Sequence, residues 1–369
     1  MNGSALSRRT FLQSLAAASA GSALLGPAAL AAATDDPRVE QILAKYISID
    51  MHNHAQVQLD HPPQPSDSIP DLGGAIRRSG FTAISAAFAL DFSKLEQPGD
   101  AYGHFMNGLA WLDEELKHGN MRRALNLHDL KAAHEKRQPT IVQSCEGAQF
   151  LEGRLERVEE VYKRGLRQLQ LLHEKDDVVR PLGDVYTRPA HLGGLTPFGA
   201  DVIRECNRLG ILVDLAHASP ETIQGALKVA TKPILVSHTS MDKRPGNKPI
   251  PRGMAPHLIS AEHARVVANA GGVVGVWIHV ADTIEECVQG IKMMVDAIGV
   301  DHVGIGTDSD ITGHQDQPNT NEIWPNHNGG LFRELAAEML RQGFKPEEIG
   351  KIGGGNYCRL FDAATAGHS

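Results

Sequence analysis

Short β-rich apolar runs recur along this chain, separated by stretches whose apolar residues return every three to four positions. Eight runs stand out, at residues 46–50, 82–88, 140–143, 169–172, 212–215, 234–237, 273–277 and 303–306. The unbroken apolar character of Ile234-Leu235-Val236 and Val273-Val274 fits strands buried on both faces, as in a parallel sheet. Between the runs, residues 155–167, 200–209, 261–269 and 283–298 carry the period of amphipathic helices. Strand and helix alternating in this way predict an α/β fold, a closed (β/α)8 barrel of the TIM type with its helices outside.

Two stretches depart from the repeat. Residues 91–135 form a helix-rich insertion after the second strand, and residues 174–195 a charged loop with Pro and Gly after the fourth. Loops that follow strands lie on the catalytic face of such a barrel, so both are candidate lids or substrate walls. Residues 312–328 read as a polar loop, and 330–343 and 346–364 as closing helices.

The 369 residues, 41% of them hydrophobic and 22% charged, supply a large core and exclude disorder, collagen and coiled coil. Charge adds a further exclusion. Basic residues number 36 against 44 acidic, and no Lys/Arg cluster interleaves with aromatics, so no nucleic-acid partner is expected. Cys145, Cys206, Cys287 and Cys358 stand far apart and form no C-x-x-C motif of a zinc ribbon or thioredoxin-like site.

The amino terminus reads as an address. Ser7 to Gln13 spell SRRTFLQ, and from Leu15 to Ala33 only Ala, Leu, Ser, Gly and Pro follow. Paired Arg8 and Arg9 before a mildly apolar, Ala-rich segment resemble a twin-arginine export signal. The run is too weakly hydrophobic, and too broken by Gly21 and Pro27, to read as a membrane anchor. The expectation is a signal over residues 1–33, a single domain over 34–369, the twin-arginine machinery as a partner, and a periplasmic or secreted bacterial protein. That route carries folded proteins, which suits a chain that takes up a metal before export.

The chemistry lies at the strand ends. The first strand runs into Asp50-Met51-His52-Asn53-His54, and alternate residues of an extended chain face one side, so His52 and His54 can hold one ion together. The third run leads to Glu146, the fourth to His173, the fifth to His217, the sixth to His238 and the eighth to Asp308. Polar side chains at one end of consecutive apolar strands would be costly to bury unpaired. Imidazole and carboxylate donors suit Zn2+. One ion falls to His52, His54 and Asp308, the other to His217 and His238, with Glu146 able to bridge them and a shared hydroxide as nucleophile. Asp50 and Asp214 are candidate supports for these ligands. His279 reads as pocket wall, and the remaining histidines, His257 among them, as surface or core side chains.

These residues resemble the membrane (renal-type) dipeptidases, binuclear zinc peptidases of the amidohydrolase barrel superfamily. The resemblance rests on the H-x-H strand, Glu146-Gly147, GGLTPFGADVIRECNRLGILVDLAHAS from Gly193, PILVSHTS from Pro233, HVGIGTDSD from His302 and GGGNYCRLF from Gly353. It implies His52, Glu146, His217 and His238 as metal ligands, Asp308 as the acid that relays the proton, and His173 as the contact to the tetrahedral oxygen. It also implies Arg252 as the group that holds the substrate carboxylate, with Arg244 competing, and a homodimer. Two departures stand out: His54 occupies a position where the family carries aspartate, and the 174–190 loop replaces a shorter segment.

The expected activity is therefore metal-dependent hydrolysis of dipeptides by a metal-bound hydroxide. Two alternatives stay open: hydrolysis of another amide or a lactone on the same barrel, and an exported binding protein without catalysis. A phosphotriesterase-like site bridges its metals with a modified lysine where this chain offers Glu146.

Overall fold

The computed structural model describes residues 36–91, 93–174, 179–313, 318–325 and 329–367. The export-signal residues lie outside that set, as does part of the 174–190 loop. No described helix is long and apolar enough to cross a membrane.

Helix α1 (Pro37–Lys45), capped by Asp36, precedes β1 (Ile49–His54). There follow α2 (Leu72–Ser79), β2 (Ala83–Ala87), α3 (Asp100–His118), α4 (Leu127–Glu135), β3 (Thr140–Gln143), α5 (Arg157–Lys163) and β4 (Gln168–Gln170). The second half runs α6 (Pro197–Leu209), β5 (Leu212–Asp214), α7 (Pro220–Leu227), β6 (Leu235–Thr239), α8 (Ala261–Asn269), β7 (Val273–Val276), α9 (Ile284–Ile298), β8 (Val303–Ile305) and β9 (Ser309–Asp310). Helices α10 (Leu331–Arg341), α11 (Pro346–Gly350) and α12 (Asn356–Thr365) close the chain. Thr196, Ser219, Ser260 and Thr283 cap α6 to α9 through side-chain oxygens that accept backbone N–H groups.

Every pairing between strands is parallel. Strands β3, β2, β1 and β9 adjoin in that order, and β4 to β8 in sequence. Parallel bridges from Gln143 to Leu166 and from Glu146 to Gln170 carry β3 onto β4. The chain passes from β8 directly into β9 beside β1, so the strands follow one another round a (β/α)8 barrel.

All eight predicted strands form, with one informative shift. The first begins at Ile49, not Tyr46, and runs on through His54, because pairing with β2 and β9 keeps the His52–His54 segment extended; Tyr46 instead caps α1. The closing segment 346–364 is two helices rather than one. Gly354 brings the chain against Ile47, whose carbonyl lies 2.3 Å from where a Cβ would stand, and the turn between α11 and α12 breaks there.

The floor of the barrel is filled by Ile49, Met51, Ala83, Val142, Leu212, Leu235 and Val273, packed on Tyr357 and Phe361 of α12. Above it lies a buried polar layer. Gln168 donates to Asp214 (2.9 Å) and accepts from Ser85 (2.9 Å) and Tyr357 (2.8 Å). Asp50 accepts from the Thr307 hydroxyl (2.6 Å) and amide (2.9 Å), while Asp214 accepts from the Ser237 amide (3.0 Å). Burial raises both carboxyls to about 6, against these bonds. Asp50 also accepts from the His52 amide (3.4 Å) and Asp214 from the Ala216 amide (3.1 Å), so both acids brace the backbone beside the ligand positions and touch no ligand imidazole nitrogen.

The insertion after β2 is clamped to the barrel by Phe105 of α3, which stacks on Phe150 with ring centroids 4.1 Å apart. Neither α3 nor α4 lines the catalytic cavity described below, so among the described residues the insertion braces the barrel and supplies no substrate wall. All four cysteines are buried and free.

Candidate active site

The strand ends deliver the predicted side chains to one rim. His52 and His54 stand two residues apart on β1, and His238 lies within β6. Glu146 is held beyond β3 by its amide bond to the Phe88 carbonyl (3.2 Å). Gly275 and Gly306 allow β7 and β8 to approach beneath His238. A Cβ at either would stand 1.8 or 1.9 Å from the Ser237 carbonyl oxygen. His217 and Asp308 take left-handed backbone conformations, with φ 65° and 53°. For such residues that costs about 1–2 kcal/mol, and strain of this kind gathers where a side chain must be aimed. The Asp308 amide donates to the His52 carbonyl (3.0 Å), which ties the two strand ends together.

Three sets of donor atoms result among the described residues, each with its members within 4.8 Å of one another: His173, Glu174 and His217, and the two predicted groups, His52, His54, Glu146 and Asp308, and Glu146, His217 and His238. Glu146 belongs to both predicted groups. Its Oε1 faces His52 (3.4 Å), His217 (3.5 Å) and His238 (3.7 Å), and its Oε2 faces His54 (3.6 Å). Asp308 Oδ1 lies 3.1 Å from His54 and 3.7 Å from His52. The division predicted from sequence is therefore present in space, with His52 also against His238, their ring centroids 4.1 Å apart.

These residues fit divalent ions. Both ring nitrogens of His52 are buried and lack a hydrogen-bond partner among the described residues, and the Nε2 atoms of His217 and His238 confront each other at 2.8 Å. Buried polar atoms left this way are costly unless something joins them, and nitrogen and carboxylate donors converging on one point suit a zinc-like cation. The protonation pattern agrees. Burial pushes His52 down to about 4 and His238 well down. Against the same burial, the surrounding carboxylates lift His54 to about 9 and His217 to about 10. Burial also opposes ionisation of Glu146 and Asp308, but the imidazoles around them hold both low. The cluster keeps two carboxylates charged beside imidazoles that carry the balancing protons, and a divalent cation bound there would displace those protons.

His173 turns Nδ1 to Asp91, 2.5 Å away, and its Nε2 lies 3.6 Å from Glu146. His279 donates from Nε2 to the Asp308 carbonyl (2.7 Å) and lies 3.4 Å from its Oδ2, so it orients the acid as well as walling the pocket. The cavity of ≈ 280 Å3 is lined by His54, Glu146, His173, Glu174, His217, Met254, His257, Trp277, His279 and Asp308.

His257 is corrected from surface or core residue to cavity wall, where its Nδ1 bonds the Tyr186 hydroxyl (3.2 Å). Asp91 and Trp277 were not predicted as site residues, whereas Glu174 and Tyr186 belong to the 174–195 loop expected to form a lid or substrate wall, and Glu174 lines the cavity. Asp91 follows β2 as the ligands follow their strands, so the same reasoning extended to that strand finds it; His257 and Tyr186 carry no such signal. Of the two arginines, Arg244 is buried and tied to Glu286 and Asp282, both at 2.7 Å, which removes it as a competitor for substrate. Arg252 is exposed, on the loop that brings Met254 and His257 to the cavity.

The sequence profile of the membrane dipeptidases, peptidase family M19, matches residues 37–368. The chain belongs to this family. Among curated relatives, the dipeptidase tcpJ of Claviceps purpurea is 30% identical over 213 residues, 54% of this chain and 45% of that protein. The chain thus spans about half the length of the curated relatives it matches. Two solved structures share the fold of this membrane dipeptidase family member. The probable dipeptidase PvdM of Pseudomonas aeruginosa superposes with a TM-score of 0.71 at 17% identity, covering 89% of this chain and 98% of that one. A metallopeptidase of Rhodobacter sphaeroides, liganded with a phosphinate mimic of L-Ala-D-Ala, gives 0.63 at 17%, covering 87% and 100%.

Proposed function

We propose that this protein is a metal-dependent dipeptidase. The observation that carries the reading is Glu146, which belongs to both predicted donor sets, its Oε1 facing His52, His217 and His238 and its Oε2 facing His54 within one cavity. Two zinc ions would be held, one by His52, His54 and Asp308 and the other by His217 and His238, with the Glu146 carboxylate available to both. When bound, such ions polarise the scissile carbonyl and lower the pKa of water towards neutrality.

The chain's own groups do the rest. Asp308 accepts the proton of the attacking water at its carboxylate and returns it to the leaving amine, held by His54 on one oxygen and His279 near the other. His173, fixed at Nδ1 by Asp91, presents Nε2 to the carbonyl oxygen and, when doubly protonated, stabilises the charge that develops there. Arg252 receives the substrate carboxylate at the mouth. A second reading, hydrolysis of another amide or a lactone, is favoured by His54 alone, since it removes one negative ligand.

Periplasmic location by twin-arginine export is proposed on residues 1–33, and a homodimer on the family resemblance. The deciding experiment is metal content per chain of the mature protein, together with hydrolysis of L,L and L,D dipeptides before and after chelation. Two ions and chelator-sensitive cleavage support the reading. One ion, or two without dipeptide cleavage, sends the search to other amides and lactones.

A further inference from the structure

One carboxylate in the cavity has no part in the reaction above. Glu174 follows His173, and its Oε1 lies 3.3 Å from His217 Nδ1 and 3.8 Å from His257 Nδ1. Its side chain stays 33% exposed. No lysine or arginine lines this cavity among the described residues, and the imidazoles of His217 and His257 lie within 4 Å of the Glu174 carboxylate. Tyr186 stacks on His217 at 5.2 Å and meets His257 edge-on at 5.3 Å, and His257 lies 5.8 Å from Trp277. A carboxylate set among aromatic faces recognises an ammonium, by ion pair and by cation–π attraction together.

The placement matches a substrate. Glu174 stands at the Nδ1 edge of the His217 ring, while Nε2 on the other edge faces Glu146 and His238. Donor atoms of His173, Glu174 and His217 lie within 4.8 Å of one another, so a substrate whose carbonyl oxygen meets His173 carries its α-amino nitrogen, two bonds from the carbonyl carbon and about 2.5 Å away, on the side of the cavity that holds Glu174.

We propose that Glu174 recognises a substrate ammonium and so makes this enzyme select dipeptides with a free amine over acylated ones. The inference rests on the dipeptidase reading. Arg252 and Glu174 would then hold the two charged ends of the substrate on either side of the scissile bond.

The test uses the mature holoenzyme and Glu174→Gln. Metal content is measured per chain, kinetics are followed with Ala-Ala, Lys-Ala and norleucyl-Ala, and binding with a phosphinate mimic of Ala-Ala carrying either a free or an acetylated amine. Glu174→Gln is expected to keep its metal, to raise KM for Ala-Ala about tenfold or more, and to cut the free-over-acetylated preference in Kd by a similar factor. An equal loss across the three dipeptides assigns the site to the α-ammonium; a loss confined to Lys-Ala assigns it to a side-chain ammonium. A variant that loses metal and kcat together, or keeps the wild-type preference for the free amine, overturns the proposal and leaves Glu174 as a prop for His217. If the wild type cleaves no dipeptide, the dipeptidase reading fails, and the Kd ratio still decides the role of Glu174.

Discussion

His217 and His238 point their Nε2 atoms at each other across 2.8 Å, with Glu146 Oε1 3.5 and 3.7 Å away. Two imidazole nitrogens this close need a proton between them, and a divalent cation bound there would take that proton's place. His217→Ala is therefore expected to lower metal content per chain, measured by elemental analysis. Chelation of the wild type is expected to lower Tm by several degrees, since a ligand at about 100 times its Kd contributes about 2.7 kcal/mol. Full metal content in the variant would refute the assignment.

Asp308 is held by His54 on one oxygen and by its own backbone amide bond to His52. Asp308→Asn keeps the shape and removes the proton acceptor. It should lower kcat by about 100-fold or more while reducing metal content far less. Kinetics and metal analysis on the same preparation check this, and unchanged kcat would remove Asp308 from the proton path.

Asp91 fixes the ring of His173 through a 2.5 Å contact. Asp91→Asn is expected to lower kcat by about tenfold or more with KM less affected, because supporting partners of catalytic groups typically carry effects of that size. Loss in KM alone would mean that His173 acts only in binding.

The two arginines separate function from stability. Arg252→Ala should raise KM for dipeptides by about tenfold and leave Tm within about a degree, whereas Arg244→Met should lower Tm because it leaves Glu286 short of its closest cation. Lys248, 3.0 Å from Glu286, softens that loss. Thermal melts and steady-state kinetics on both variants distinguish the roles.

Glu115 of α3 offers a pH test away from the metals. It is fully buried, both carboxylate oxygens lack hydrogen-bond partners among the described residues, and burial raises its pKa well above the ordinary glutamate value. The folded state therefore holds a proton that the unfolded chain releases above about pH 4.3, so stability falls as pH rises above that point. Glu115→Gln should gain Tm relative to wild type, little at pH 4 and more at pH 8. A difference independent of pH would show that Glu115 is ionised when folded.

The strand order, the alternation with helices and the ligands of the rim were legible because burial imposes them locally. A parallel strand buried on both faces is mostly apolar, so His52, Glu146, His173, His217, His238 and Asp308 stood out as a run of ligand-type side chains towards one end of successive strands. What the sequence could not supply was the meeting of loops: Asp91 with His173, His279 with Asp308, Tyr186 with His257. Those pairs are 82, 29 and 71 residues apart, and no local period connects them. The same holds for the arginines. Arg244 and Arg252 look alike along the chain, and only packing against α9 ties one to Glu286 and leaves the other exposed on the loop after β6. Local physics chose the barrel and its ligands; closing the barrel brought distant loops together and decided which side chains surround the substrate.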